Sequence, residues 1–305
     1  MSDRLMLLDT ASLYFRAFYG VPDKVTADDG TSVNAARGLL DIIAKLVTTY
    51  EPTRLVACWD DDWRPGWRVD LLPTYKAHRV VETVEDGPDV EEVPPTLTAQ
   101  IPLIRETLDV LGIAVVGAAA HEADDVIGTL ATRADVPVDI VTGDRDLFQL
   151  VDDARGIRVV YTARGMSNLE IIDDAAVEAR YGIRADQYAD FAALRGDPSD
   201  GLPGVPGIGE KSAAALLAAC GDLDGIRTAA ADGTAGTPAQ RAKILAAADY
   251  LDVAPTVVRV ARDLELAPAV DRILVDDARA EAATALADRW NLGGSMTRAL
   301  AALRR

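Results

Sequence analysis

Five short apolar runs constrain this fold most: "RLMLLD" (residues 4–9), "RLVACWD" (54–60), "IAVVGA" (113–118), "VDIVTGD" (138–144) and "IRVVYT" (157–162). Each has strand length and no polar alternation, the mark of a strand buried on both faces. Between them, apolar residues recur at helical spacing. Residues 34–50 put Leu39, Ile42, Ile43 and Leu46 on one face, and 97–112 and 123–134 behave alike. This alternation predicts an α/β fold, a parallel-rich central sheet with helices on both faces, over residues 1–170. From about residue 171 Ala-rich patterns such as "DQYADFAALRG", "EKSAAALLAAC" and "PAQRAKILAAADYLDVA" take over. They predict a helical subdomain over 171–305. The runs "VVRV" (257–260) and "RILV" (272–275) predict strands that return to the core.

Three of the five strand-like runs finish in aspartate, at Asp9, Asp60 and Asp144, with Asp146 close behind. A fourth is followed by "HEADD", which places Glu122, Asp124 and Asp125 at a helix start. In an open parallel sheet, ligands bind at the carboxyl ends of the strands, so these acids are expected on one edge. One acid after a strand is ordinarily a turn or N-cap residue; the repetition at four strand ends points further. Crowded carboxylates repel one another unless they are protonated or metallated. With two Cys, two His and no Cys/His cluster, the donors are hard oxygens, which indicates Mg²⁺ or Mn²⁺. Asp60 opens the triplet Asp60-Asp61-Asp62, and its strand-end position favours it over the other two.

A further acid pair, Asp197 and Asp200, lies in a Pro/Gly-rich turn before "GVPGIG" (204–209). Such a turn at a helix start exposes backbone N–H groups and carbonyls. It suits a phosphate, or a monovalent cation bridging to one; the plainer reading is an interhelical turn. Basic residues gather at "PTYKAHR", where Lys76 and Arg79 could meet charge developing on a phosphate and Tyr75 could stack on a base. Residues 80–95 contain no Lys or Arg, a composition that suits a mobile, solvated loop. The net charge of −18 over 305 residues weighs against broad, basic nucleic-acid binding. No run is long enough to span a bilayer and no leader pattern opens the chain, so a cytoplasmic protein without a membrane partner is expected.

Taken in order, "LLDTASLYFRAFY", "YKAHR", "EADDVIGTLA", "TGDRDLFQL" and "RGDPSDGLPGVPGIGEKSA" resemble the bacterial 5′-nucleases. That family comprises flap endonucleases and the 5′→3′ exonuclease domain of DNA polymerase I; this chain looks like a stand-alone form. The resemblance implies a PIN-like nuclease core, an arch or gateway at about 72–96 and a helix–turn–helix-type DNA-binding motif at 197–220. It implies a metal-dependent 5′→3′ exonuclease and flap endonuclease acting at single-strand/duplex junctions in replication and repair. Asp9, Asp60, Glu122, Asp124 and Asp125 would form a first metal group. Asp144, Asp146, Asp197 and Asp200 would form a second. Lys76 and Arg79 would serve at the arch base. Arg16, Tyr75, Gly204, Val205, Gly207, Ile208, Gly209 and Lys211 would meet DNA, with K⁺ at the turn. The implied partner is DNA with a 5′ single strand or flap and a downstream duplex, or an RNA–DNA hybrid, bound by a nucleoid-associated monomer. Two divalent ions leave five of the nine carboxylate charges unmatched, so a further, weaker metal site is expected. A non-catalytic structure-specific DNA-binding protein, an RNA-directed nuclease and a phosphatase are the alternatives. The first would be marked by lost acids, and the last would need neither "YKAHR" nor the Gly-rich turn.

Overall fold

The computed structural model describes residues 3–84 and 87–304. The elements in order are β1 (Leu5–Asp9), α1 (Thr10–Gly20), α2 (Asn34–Tyr50), β2 (Arg54–Cys58), α3 (Gly66–Leu71), β3 (Val80–Glu82), β4 (Val90–Glu91), α4 (Pro95–Thr98), α5 (Ile101–Val110), β5 (Ala114–Val116), α6 (Ala123–Arg133), β6 (Val138–Thr142), β7 (Ile157–Tyr161) and β8 (Glu170–Ile172). Beyond β8 the chain is mainly helical: α7 (Asp174–Tyr181), α8 (Tyr188–Arg195), α9 (Glu210–Cys220), α10 (Leu223–Asp232), α11 (Pro238–Ala246), α12 (Ala248–Val258), α13 (Asp277–Arg289) and α14 (Gly293–Leu303). Turns join these helices, except that an extended stretch at 259–276 links α12 to α13.

The six-stranded sheet has the order β5-β2-β1-β6-β7-β8. Neighbours from β5 to β7 are parallel, and β8 pairs antiparallel with β7. The chain steps outward from β1 to β2 and β5, then restarts on the other side at β6. The boundary between β1 and β6 is therefore the topological switch point, where the loops at the strand ends diverge and leave a crevice. Both faces of the sheet are covered, as the unalternating runs require. Leu5 and Leu7 face the core shared with α6, α8 and α12, whereas Met6 and Leu8 face the core shared with α2, α5 and α14.

Two expected strands are absent from the described residues. "VVRV" closes α12, where Val257 and Val258 are buried on the helix face toward the core. "RILV" runs beside the start of β2 through a single antiparallel bridge, Arg54 to Arg272, with Leu55 N–H donating to the Asp271 carbonyl at 2.6 Å. Apolar β-branched residues suit a strand, but here they reach the same burial from a helix face. Strand β8 is an addition to the five apolar runs. The acidic 80–95 segment also departs from the expected loop: Val80–Glu82 and Val90–Glu91 pair as an antiparallel hairpin. Residues 85 and 86 of that segment lie outside the described residues.

Candidate active site

Asp9 ends β1 and is the N-cap of α1, accepting from the Ser12 N–H at 3.2 Å and from Thr142 Oγ1 at 2.6 Å. Thr142 is the last residue of β6, so one hydrogen bond ties the two strands at the switch point. Asp144 follows two residues on. Its N–H donates to Thr142 Oγ1 at 2.8 Å, and its Oδ1 accepts from the Asp146 N–H at 2.8 Å. Asp60 lies just beyond β2 and accepts from the Ala123 N–H at the start of α6, 2.8 Å away. Of the acidic triplet, Asp60 is the one that lines the cleft. Asp61 turns against Gly117, and Asp62 accepts from the Arg64 N–H.

The cleft these residues line has a volume of 260 Å³ and gathers Asp9, Asp60, Glu122, Asp124, Asp144, Lys76, Arg79 and Glu91. Its electrostatics show crowding. Burial, reinforced by Asp144, raises Asp9 to about 6, although its hydrogen bonds oppose this. Burial and the charge of Asp9 raise Asp60 to about 7. Burial and Asp144 lift Asp124 and Asp146 well above the ordinary carboxylate range. Burial also raises Asp200 to about 6, against the pull of Lys76. Carboxyls this reluctant to ionise side by side form a site that a cation would relieve.

Some of that relief comes from the protein. Lys76 Nζ forms an ion pair with Glu122, and the Tyr75 hydroxyl donates to Glu122 Oε1 at 2.6 Å. Burial would lower Lys76, but the charge and hydrogen bond of Glu122, together with Tyr75 and Asp200, outweigh it and raise the ammonium well above its usual range. Arg79 reaches the Ser199 carbonyl at 2.7 Å and Asp200 Oδ1 at 3.3 Å. Tyr75 is 5% exposed and so is packed into the core, out of position to stack on a base. That corrects the expectation for it.

Arg68, on α3, stands in no motif of the sequence. It is 2% exposed. Its guanidinium donates to Asp125 at 2.7 and 2.8 Å, to Glu122 Oε1 at 3.0 Å and to the Val257 carbonyl at 3.0 Å. Burial alone would raise Asp125, yet the hydrogen bonds and charge of Arg68, with backbone N–H groups, together hold it below the ordinary range. Asp125 also accepts from the N–H of Ala261 at 2.8 Å. It therefore stands behind Glu122 as a clasp, away from the cleft lining. Asp197 is similar: Arg195 and Arg145 approach its Oδ2 at 2.9 and 3.2 Å, and the Ser199 N–H donates to Oδ1 at 3.0 Å. The unmatched carboxylate charge is thus met in part by arginines, which weakens the expectation of a further metal site. No sequence pattern marks Arg68, and the motif that contains Arg145 gives no sign of its pairing with Asp197, because the partners lie far away along the chain. Among the described residues, no three acidic, His or Cys side chains are drawn together tightly enough to cage an ion as they stand.

Arg16 lies beside the loop after β6: a β-carbon added at Gly143 would sit 3.4 Å from its guanidinium. Its Nε is buried and unpartnered. A larger groove of 810 Å³ continues from the acidic cleft between α1 and α2, sharing Ser12 and Phe15 with it. In the Gly-rich turn, Gly204 and Gly207 take positive φ of 67° and 75°. The Gly204 N–H donates to the Tyr250 hydroxyl at 3.2 Å, and the Val205 N–H to the Leu194 carbonyl at 2.9 Å. Val205 and Ile208 are buried, so they anchor the turn in the core and their side chains are unavailable to DNA. Gly207, Gly209 and Lys211 are exposed.

The chain matches the 5′-3′ exonuclease N-terminal resolvase-like domain over residues 4–182 and the 5′-3′ exonuclease C-terminal SAM fold over 183–281. It is 60% identical to a 5′-3′ exonuclease of Streptomyces coelicolor, covering 98% of this chain and 99% of the relative. It is 50% identical to a 5′-3′ exonuclease of Mycobacterium tuberculosis, covering 99% and 98%. The fold is shared with the phage T5 5′-exonuclease bound to zinc, at 17% identity, TM-score 0.65 and coverage of 98% and 99%. It is shared too with a complex of phage T5 flap endonuclease with DNA and metal ions, at 16% identity, TM-score 0.62 and coverage of 99% and 100%. By two domain matches that together span residues 4–281, and by near end-to-end identity to both bacterial relatives, the chain belongs to the 5′-3′ exonuclease family.

Proposed function

We propose that this chain is a structure-specific 5′-nuclease that hydrolyses DNA phosphodiesters near single-strand/duplex junctions and leaves 5′-phosphate products. The observation that carries the reading is the ring of carboxylates at the β1/β6 switch point, with Lys76 reaching into it. The donor set fits Mg²⁺ or Mn²⁺: oxygen ligands only, raised by burial and mutual repulsion. Asp9, Asp60, Asp124 and Asp144 would hold a first ion with Glu122, and Asp146 and Asp200 would contribute to a second. Asp125 and Asp197 would act from behind, through their arginines. When bound, such ions polarise a phosphodiester and supply an activated water.

The remaining steps belong to the chain itself. Lys76 meets charge that develops on the scissile phosphate, and Arg79 holds the 199–200 turn against the arch base. Arg16 lines the 810 Å³ groove and would offer its guanidinium to a phosphate entering from it. The exposed backbone of Gly207 and Gly209, with Lys211, would hold the downstream duplex by its phosphates, alone or through K⁺. The division of labour would place chemistry in residues 1–170 together with Asp200, and duplex grip in the 204–220 part of the helical subdomain. The last helices α13 and α14 would return to pack on α5 and α2. No helix among the described residues is long and apolar enough to cross a membrane.

The test is cleavage of a 5′-labelled flap DNA with Mg²⁺ or Mn²⁺, wild type beside Asp124→Asn. Cleavage at the junction by the wild type alone supports the reading. Tight binding with no cleavage in either metal would replace it with a non-catalytic binding role.

A further inference from the structure

The acidic hairpin β3–β4 brings a carboxylate into the cleft that no sequence pattern announces. Glu91 lines the same cavity as Lys76, Arg79, Asp9 and Asp124. It pairs with Val80 in the hairpin, and the Glu92 N–H donates to the Arg79 carbonyl at 2.9 Å, so the return strand is stitched directly to the arch base. A second anchor fixes the hairpin from below. Arg64, 8% exposed, forms an ion pair with Asp89 while donating to the Tyr75 carbonyl at 2.6 Å and the Pro73 carbonyl at 3.1 Å. Trp63 Nε1 donates to the Asp89 carbonyl at 2.6 Å. Glu91 is thereby held in the lining of the cleft, where its charge offsets those of Lys76 and Arg79. The described part of the hairpin carries Glu82, Asp89, Glu91 and Glu92 and no Lys or Arg.

We propose that Glu91, held in place by the Arg64–Asp89 pair, is a specificity-determining residue that disfavours bare single strands. This rests on the nuclease reading above. A single strand offers its phosphates only to this cleft, and each one approaches against the Glu91 charge. A flap or junction substrate also gains contacts at the duplex-binding turn, so it tolerates the same repulsion. The filter therefore acts on the ratio of the two substrates. It is an electrostatic effect and fades as salt rises.

The experiment compares wild type, Glu91→Gln and Asp89→Asn in binding a single strand and a 5′ flap of equal length, in Ca²⁺ at low and moderate salt, then in flap cleavage with Mn²⁺. Glu91→Gln should tighten single-strand binding by roughly fivefold at low salt. Flap binding should change by less than about twofold. Asp89→Asn should shift the ratio in the same direction. An unchanged ratio overturns the proposal, as does a collapse of saturated cleavage in Glu91→Gln, which would make Glu91 part of the chemistry. Wild-type flap cleavage tests the nuclease reading separately: its failure, with the binding ratio still moved by Glu91→Gln, would remove the activity and leave the filter standing.

Discussion

Asp60→Asn should make the metal-free protein more stable while abolishing its catalytic use. Burial and the neighbouring Asp9 raise the Asp60 carboxyl from 3.8 to about 7 in the folded chain. A raised acid binds its proton more tightly folded than unfolded. Its contribution to stability is therefore present in full below about pH 4 and is lost as pH climbs from 3.8 to about 7. At about 1.4 kcal/mol per pH unit, the loss at pH 8 has a ceiling of roughly 4 kcal/mol. Asp60 is still partly open to the cleft, so screening by water reduces the expected gain to about 2 kcal/mol. The asparagine carbonyl can still accept from the Ala123 N–H, so that tie to the start of α6 survives. The assay is urea unfolding in chelator at pH 8 and at pH 4.5, wild type against variant. The variant should be more stable at pH 8, and the gap should shrink at pH 4.5. Saturating Mn²⁺ should close the gap at pH 8 by stabilising the wild type. Equal stability at pH 8 in chelator would refute the crowding argument.

Arg68→Met should cost about 3–5 kcal/mol, because it leaves Glu122 and Asp125 buried without their counter-ion; a loss under about 1 kcal/mol in urea unfolding would show that water replaces it. Lys76→Ala should lower saturated flap cleavage by about 10²–10³-fold with flap affinity in Ca²⁺ changed far less, measured by single-turnover kinetics. Gly201→Ala should weaken the dock between the Thr74–Lys76 turn and the 197–202 turn. Gly201 has a φ of +72°, and a β-carbon there would overlap the Thr74 carbonyl; a lower melting temperature is expected, and an unchanged one would mean the turn relaxes freely. Lys211→Ala should weaken duplex binding and reduce the slope of log K against log salt by about 0.9, read by titration at several salt concentrations.

The sheet was legible because its five parallel strands are buried on both faces, which writes them as apolar runs, three of them ending in aspartate. The site was legible in outline for the same reason: strand ends fix where Asp9, Asp60 and Asp144 go, and the helix start after β5 fixes Glu122 and Asp124. The direction of a side chain at a helix start was not legible. Asp124 and Asp125 are neighbours in sequence, yet one faces the cleft and the other is turned to Arg68, 57 positions away along the chain. Tyr75 reads as a solvent-side aromatic beside two cations until its hydroxyl is seen to be committed to Glu122. The hairpin at 80–91 was hidden because its charge pattern says solvent, while its pairing depends on Arg64 and Trp63 in a separate segment. Val257 and Val258 show the limit of β-branched residues as strand signals when a helix face offers equal burial.

The seating of α14 on α2 bears on how this chain matures. Leu39, Ile43 and Leu46 of α2 share a core with Met296, Ala299 and Leu303 of α14. The ribosome must add residues 51–292 between the two, which at about 5–20 residues per second takes on the order of 10–50 s. For that interval the part of α2 that meets α14 waits without its cover, and for most of it the strands and helices that carry the acidic cleft are themselves still being added. A newborn chain is therefore at its stickiest while its site is still incomplete, and conditions that slow synthesis should lengthen the spell in which it needs a chaperone.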